Sequence, residues 1–243
     1  MKTIRLLEQS PRDVSRIASE KPLILIPIGS VEWHADHLPL GVDSLLSVAI
    51  CDEISSRTGC IAAPLLACGI CRDLQPERGF FGTVDTIREQ TLSHLVEDLL
   101  QGYVKMGFRK AIFLNGHFEM EHFAAITEGM KKVTSIQSIF LTTFDFIKDK
   151  VQELEDVKLT WPYSSDHAAE WETSLMLDYY PRLVHMENAP ETIELDMPGL
   201  PEYIRHRYPR RASRSYGRKI RSAVIDGGVD VVMKYLEPSP TIV

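Results

Sequence analysis

No stretch of this 243-residue chain approaches the roughly 20 apolar residues that a membrane span needs, and the opening MKTIRLLEQSPRDVSRIASEK has no long apolar core of the kind a secretory signal carries. The expectation is a cytoplasmic protein without membrane contact. Basic residues are the minority: 27 Lys and Arg face 34 Asp and Glu, a formal charge of −7 that repels polyanions, so nucleic acid is not expected as a partner and a small-molecule substrate is. Cysteine is scarce as well. Cys68 and Cys71 form one Cys-x-x-Cys with no second pair at finger spacing, and together with Cys51 and Cys60 they read as reduced core thiols rather than a structural zinc site. The Gly-x-Ser-x-Gly elbow of a serine hydrolase is missing, as are internal repeats and low-complexity tracts.

What the chain does have is apolar material in alternating patterns. A hydrophobic content of 44% supports a sizeable core, and one α/β domain over 1–243 is expected. Strand-like runs at 23–28, 61–66, 111–114 and 138–143 alternate with helix-like stretches near 43–57, 89–106, 120–133 and 168–179. Such alternation predicts βαβ units and a largely parallel sheet covered by helices. Regular periodicity lapses from 187 to 218, where a long functional loop is expected, and resumes as a helix over 219–236. Arg205, Arg207, Arg210, Arg211, Arg214, Arg218, Lys219 and Arg221 make a basic island there, suited to subunit contacts or to an anionic substrate.

The chemistry gathers after two of the strands. Glu32-Trp33-His34-Ala35-Asp36-His37 follows the run 23–28, with Asp43 beyond a Leu-Pro-Leu-Gly turn. Glu32 and His34 are two apart, so in extended chain they share a face, and Pro39 and Gly41 permit the turn that returns Asp43 to them. Asn115-Gly116-His117-Phe118-Glu119 follows the run 111–114 and repeats the pairing in reverse. Carboxylates and imidazoles at the carboxyl ends of parallel strands suit zinc or manganese, and five ligands around two ions leave positions open for water and substrate. A third segment, Asp166-His167-Ala168-Ala169 running into Glu172-Thr173-Ser174, offers His167 as an acid/base.

Together these segments resemble the creatininase family of metal-dependent amidohydrolases. The first motif is similar from Gly29 through Glu32, His34, His37 and Asp43, the second is Asn115 to Glu119, and the third begins at His167. The resemblance implies a three-layer α/β/α sandwich with a mostly parallel sheet. It also implies a homo-oligomer, often a hexamer, and two divalent ions, zinc or manganese. One ion would be held by Glu32, Asp43 and His117 and the other by His34, Asp43 and Glu119. Glu119 and His167 would act in catalysis, with His167 protonating the leaving nitrogen. The substrate side departs from the creatinine-hydrolysing branch: Phe144 and Tyr163 stand where that branch has tryptophans, and Asp166 where it has glutamate. These three are the expected substrate-binding residues. Hydrolysis of a small, cyclic amide or lactam is expected, with creatinine itself a poor substrate. Opening of a carbocyclic ring ketone such as an oxidised inositol, or deformylation of a formamide, is the enzymatic alternative. A degenerate metal-binding assembly component is the non-enzymatic one.

Overall fold

The computed structural model describes residues 3–72, 74–84, 87–146, 167–194 and 206–237. Its centre is a four-stranded parallel sheet in the order β2-β1-β3-β4, formed by β1 (Leu23–Ile28), β2 (Ile61–Ala62), β3 (Lys110–Asn115) and β4 (Gln137–Thr142). Parallel strands buried on both faces need apolar side chains in both directions, which is why β1 reads as the unbroken run LILIPI and is buried throughout. Alternation still sorts the faces. Leu23, Leu25, Ile112 and Leu114 pack on one side against α2 (Val42–Thr58), α5 (Glu170–Tyr179) and α6 (Arg214–Leu236). Ile24, Ile26, Ala111 and Phe113 pack on the other against α1 (Pro11–Glu20), α3 (Glu89–Lys105) and α4 (Met120–Lys131). This is the α/β/α sandwich expected.

The strand order places the site. From β1 the chain crosses through α2 to β2 on one flank, then returns through α3 on the opposite face to β3 on the other flank. The order therefore reverses between β1 and β3, and a crevice opens past their carboxyl ends, where open α/β sheets bind ligands.

Two expected boundaries move. The strand over 61–66 is regular only at Ile61–Ala62, because Pro64 has no N–H for the ladder; pairing returns as an isolated bridge between Ile28 and Leu66. The last helix starts at Arg214, not 219, with the Ser213 hydroxyl accepting the Tyr216 N–H at 3.2 Å as its cap, so the irregular stretch ends before 218. Arg214, Arg218 and Arg221 then fall on one helical face and meet the buried carboxylate of Asp178 on α5 at 3.4, 3.8 and 3.2 Å. Arg210 pairs with Glu191, and Arg211 lies over the Tyr208 ring at 4.0 Å. Much of the basic island thus ties elements of its own chain together. Cys51, Cys60 and Cys71 are buried and all four cysteines are free thiols.

Candidate metal centre

The crevice is built by close approach of backbone. At Gly29, just past β1, an added Cβ would lie 2.5 Å from the Ser44 nitrogen, and at Gly116, just past β3, it would lie 2.3 Å from the Asp43 carbonyl oxygen. Glycine at both positions lets the two strand ends touch the first turn of α2, and that turn carries Asp43. Its carboxylate accepts the Ser30 hydroxyl at 2.6 Å and sits where the helix dipole favours negative charge. The connecting loop is closed by the Glu32 N–H on the Leu40 carbonyl at 2.9 Å, and Ala35 takes a left-handed φ of 58° inside it.

Three imidazoles converge on the carboxylates in the same manner. His117 donates from Nε2 to the Ile70 carbonyl at 2.6 Å and turns Nδ1 to 3.1 Å from both Glu32 Oε2 and Asp43 Oδ2. His34 donates from Nδ1 to the Glu32 carbonyl at 3.1 Å; its Nε2 lies 3.3 Å from Asp43 Oδ1, 3.6 Å from Glu172 Oε2 and 3.9 Å from Glu32 Oε1. His167 donates from Nε2 to the Trp33 carbonyl at 2.6 Å and places Nδ1 3.4 Å from Glu32 Oε1. In each ring one N–H is committed to the main chain, which fixes the tautomer and leaves the other nitrogen for the centre.

The heart of the centre is out of water, with His34 0% exposed and Glu32, Asp43 and His117 3% exposed, while Glu172 is partly exposed. Burial disfavours charge on His34, yet Asp43, Glu172 and Glu32 outweigh it and raise its pKa to about 10. His117 is likewise opposed by burial and raised well above the usual histidine range by Glu32 and Asp43. Burial works against ionisation of Asp43 and Glu32 too, but the facing histidines hold both below the ordinary carboxylate range. A place this negative selects a cation, and protons on imidazole compete with a metal ion for it. Among the described residues, Glu32 Oε2 and His34 Nε2 are buried and make no hydrogen bond of good geometry, the first facing His117 Nδ1 at 3.1 Å and the second Asp43 Oδ1 at 3.3 Å. Ligand atoms within 4.8 Å of one another form three overlapping sets: Glu32, Asp43 and His117; His34, Asp43 and Glu172; Glu32, His34 and His167. The donor set, with these two poorly satisfied atoms inside it, fits divalent ions.

Glu32, His34, Asp43, His117 and His167 come together as the sequence suggests. Glu119 does not join these sets: it stands at the N-cap of α4, where Oε2 accepts the Arg72 N–H at 3.2 Å. The carboxylate beside His34 is instead Glu172, whose Oε2 also accepts the Ala168 N–H at 2.6 Å, supporting a residue held at φ 55°. Sequence reasoning gave Glu172 no role: it stands in the first turn of α5, five residues past His167, where an acidic residue is ordinary. His37, the remaining histidine of the first motif, is buried against Thr173 Oγ1 at 3.0 Å and fastens the loop to α5. Phe144 falls in the turn after β4, and Tyr163 and Asp166 lie outside the described residues.

A doubly wound α/β/α sheet with this carboxylate–imidazole centre at its switch point defines a metal-dependent hydrolase. A family model described as creatininase, creatinine amidohydrolase, matches residues 8–232, and the chain belongs to that family. It is 28% identical to creatinine amidohydrolase of Pseudomonas putida over 93% of this chain and 94% of that one. It is 32% identical to 3-dehydro-scyllo-inosose hydrolase of Thermotoga maritima over 70% of this chain and 54% of that one. To a mycofactocin precursor peptide peptidase of Mycobacterium tuberculosis it is 25% identical over 93% and 90%. A crystal structure of creatinine amidohydrolase superposes with a TM-score of 0.84 at 24% identity, covering 98% of this chain and 100% of that one. A structure described as creatininase Mn, and a mutant creatininase of Zn-Zn type, each do so at 0.83 and 25% identity with the same coverage.

Proposed function

We propose that this chain is a binuclear hydrolase acting on a carbon–nitrogen bond of a small cyclic amide. The observation that carries this is the tautomer pattern: three imidazoles, each with one N–H tied to a main-chain carbonyl, present their other nitrogen to buried carboxylates. Asp43 faces His117 with Oδ2 and His34 with Oδ1, which suits it to bridge. Glu32, Asp43 and His117 would hold one divalent ion, zinc or manganese. His34 and Asp43 would hold the other, with Glu172 in the place the family resemblance gave to Glu119. Such ions, when bound, lower the pKa of a water and polarise the scissile carbonyl.

The protein's own part is orientation and proton movement. His167 has Nε2–H anchored on Trp33, so Nδ1 is the atom that takes a proton and returns it to the leaving nitrogen. Glu119 keeps a catalytic role as a carboxylate fixed by the Arg72 N–H at the rim of the centre. It lies near the Cys71 thiol, whose pKa is pushed up by burial and by Glu32 and Glu119 together. Phe144, Tyr163 and Asp166 remain the proposed substrate-binding residues. Exposed Phe81, Phe118 and Met120 support a homo-oligomer, hexameric by family resemblance, and we place the working protein in the cytoplasm as one domain.

The relatives act, by their names, on creatinine, on an inosose and on a peptide, so the second reading is opening of a carbocyclic ring ketone. The test compares kcat/KM for creatinine, other cyclic amides, formamides, a keto-inositol and short peptides, with zinc and then manganese. The expected result is turnover of a cyclic amide other than creatinine at the highest kcat/KM. Exclusive turnover of the keto-inositol would replace the amide reading and leave the metal centre standing.

A further inference from the structure

His117 takes its orientation from a peptide that belongs to no strand. Ile70, whose carbonyl accepts the Nε2–H of His117, lies in irregular chain between β2 and α3. The other side of that residue meets His122: the Ile70 N–H donates to His122 Nδ1 at 3.4 Å. His122, in the first turn of α4, is 0% exposed and packs edge-on against the His117 ring, centroids 4.9 Å apart at 75°. Its Nε2 is 3.0 Å from Asn115 Oδ1, and the Asn115 amide nitrogen donates to the His117 carbonyl. That second bond settles the amide orientation, so Nε2 of His122 carries the proton and Nδ1 is the acceptor.

Both nitrogens of His122 are therefore spent on groups that themselves bond His117. A role in packing alone at a fully buried position is met by leucine or phenylalanine without desolvating two ring nitrogens. We propose that His122 is a positioning residue that clamps the Ile70 peptide and Asn115, so that His117 keeps its proton on Nε2 and its Nδ1 directed at Glu32 and Asp43. This rests on the reading of Glu32, Asp43 and His117 as an ion site. Loss of the group that accepts a ligating histidine's other N–H, here the Ile70 carbonyl that His122 holds, commonly changes metal affinity by about 10–100-fold.

The test uses full-length His122→Phe and His122→Gln, the second keeping a donor toward Asn115. Zinc affinity is read by competition with a chromophoric chelator, His117 by long-range proton–nitrogen spectra of zinc-loaded, histidine-labelled protein, and fold by circular dichroism. His122→Phe should keep its fold, bind one of two zinc ions about 10–100-fold more weakly, and lose the single Nε2–H tautomer of His117, with partial recovery in His122→Gln. Wild-type zinc affinity in His122→Phe, or weaker zinc with an unchanged His117 spectrum, overturns the positioning role. If phenylalanine prevents folding, His122→Asn is read by the same criteria. His117→Ala separates the two readings: retention of both zinc ions there overturns the ion site itself, whereas loss of one zinc there beside an unaffected His122→Phe overturns the positioning role alone.

Discussion

At the scale of single residues, the centre distinguishes Glu119, which the family resemblance makes a ligand, from Glu172, to which the sequence gives no role. Glu172 lies 3.6 Å from His34 Nε2, while Glu119 is held by the Arg72 N–H. Glu172→Gln should therefore cut bound metal from two ions per chain to about one, and Glu119→Gln should keep both while kcat falls by roughly 10²–10⁴-fold, the usual weight of an acid/base group. Elemental analysis after dialysis, beside steady-state kinetics, checks both; loss of an ion in Glu119→Gln alone would return the ligand role to Glu119. Glu32, His34, Asp43 and His117 were legible because polar groups packed behind apolar runs have few structural reasons to be there. Glu172 was not, because an acidic residue in the first turn of a helix is what the helix dipole favours anyway. The Ile70 and Trp33 carbonyls left no trace, since backbone acceptors carry no side-chain signal.

At the scale of elements, β1 and β3 were readable because they are buried on both faces, and α1, α3 and α4 because one flank of each is apolar. The exceptions have local causes: Pro64 interrupts β2, and the arginines opening α6 face a single buried partner, Asp178, and otherwise water, so no apolar rhythm marks its first turn. The contact between strand ends and α2 was not legible, since it depends on side chains that are absent. Gly116→Ala puts a methyl group against the Asp43 carbonyl, where neither backbone can give. It should cost about 1–3 kcal/mol of stability and weaken metal binding together, because α2 must retreat and takes Asp43 with it. Urea unfolding and metal titration measure the two effects; full stability with normal metal affinity would show that the contact is loose.

At the scale of the molecule, buried ionisation couples the centre to pH. His34, raised from 6.5 to about 10, and His117, raised too, stabilise the metal-free fold fully below pH 6.5, and that contribution is lost as pH climbs through their folded values. His37, lowered to about 4, and His122, also lowered, act in the opposite sense and destabilise below pH 6.5; the depressed carboxylates lose their contribution further down. Chelator-treated protein should accordingly be most stable near pH 6.5 and lose on the order of 10 °C in Tm by pH 10, a slope that zinc should flatten by replacing the lost protons. Calorimetry across that range with and without zinc is the check, and a parallel decline in both would mean the histidines are not the source. The distribution of the cluster along the chain, from Glu32 to Glu172, also sets an order of events during folding. The Glu32–Asp43–His117 set is brought together by pairing of β1 with β3, whereas Glu172 is carried by α5, which packs on that sheet from much further along the chain. A refolding chain should therefore take up one divalent ion before a second, the second among its slowest phases because its contacts are more distant in sequence; stopped-flow zinc uptake in a single phase would overturn that order.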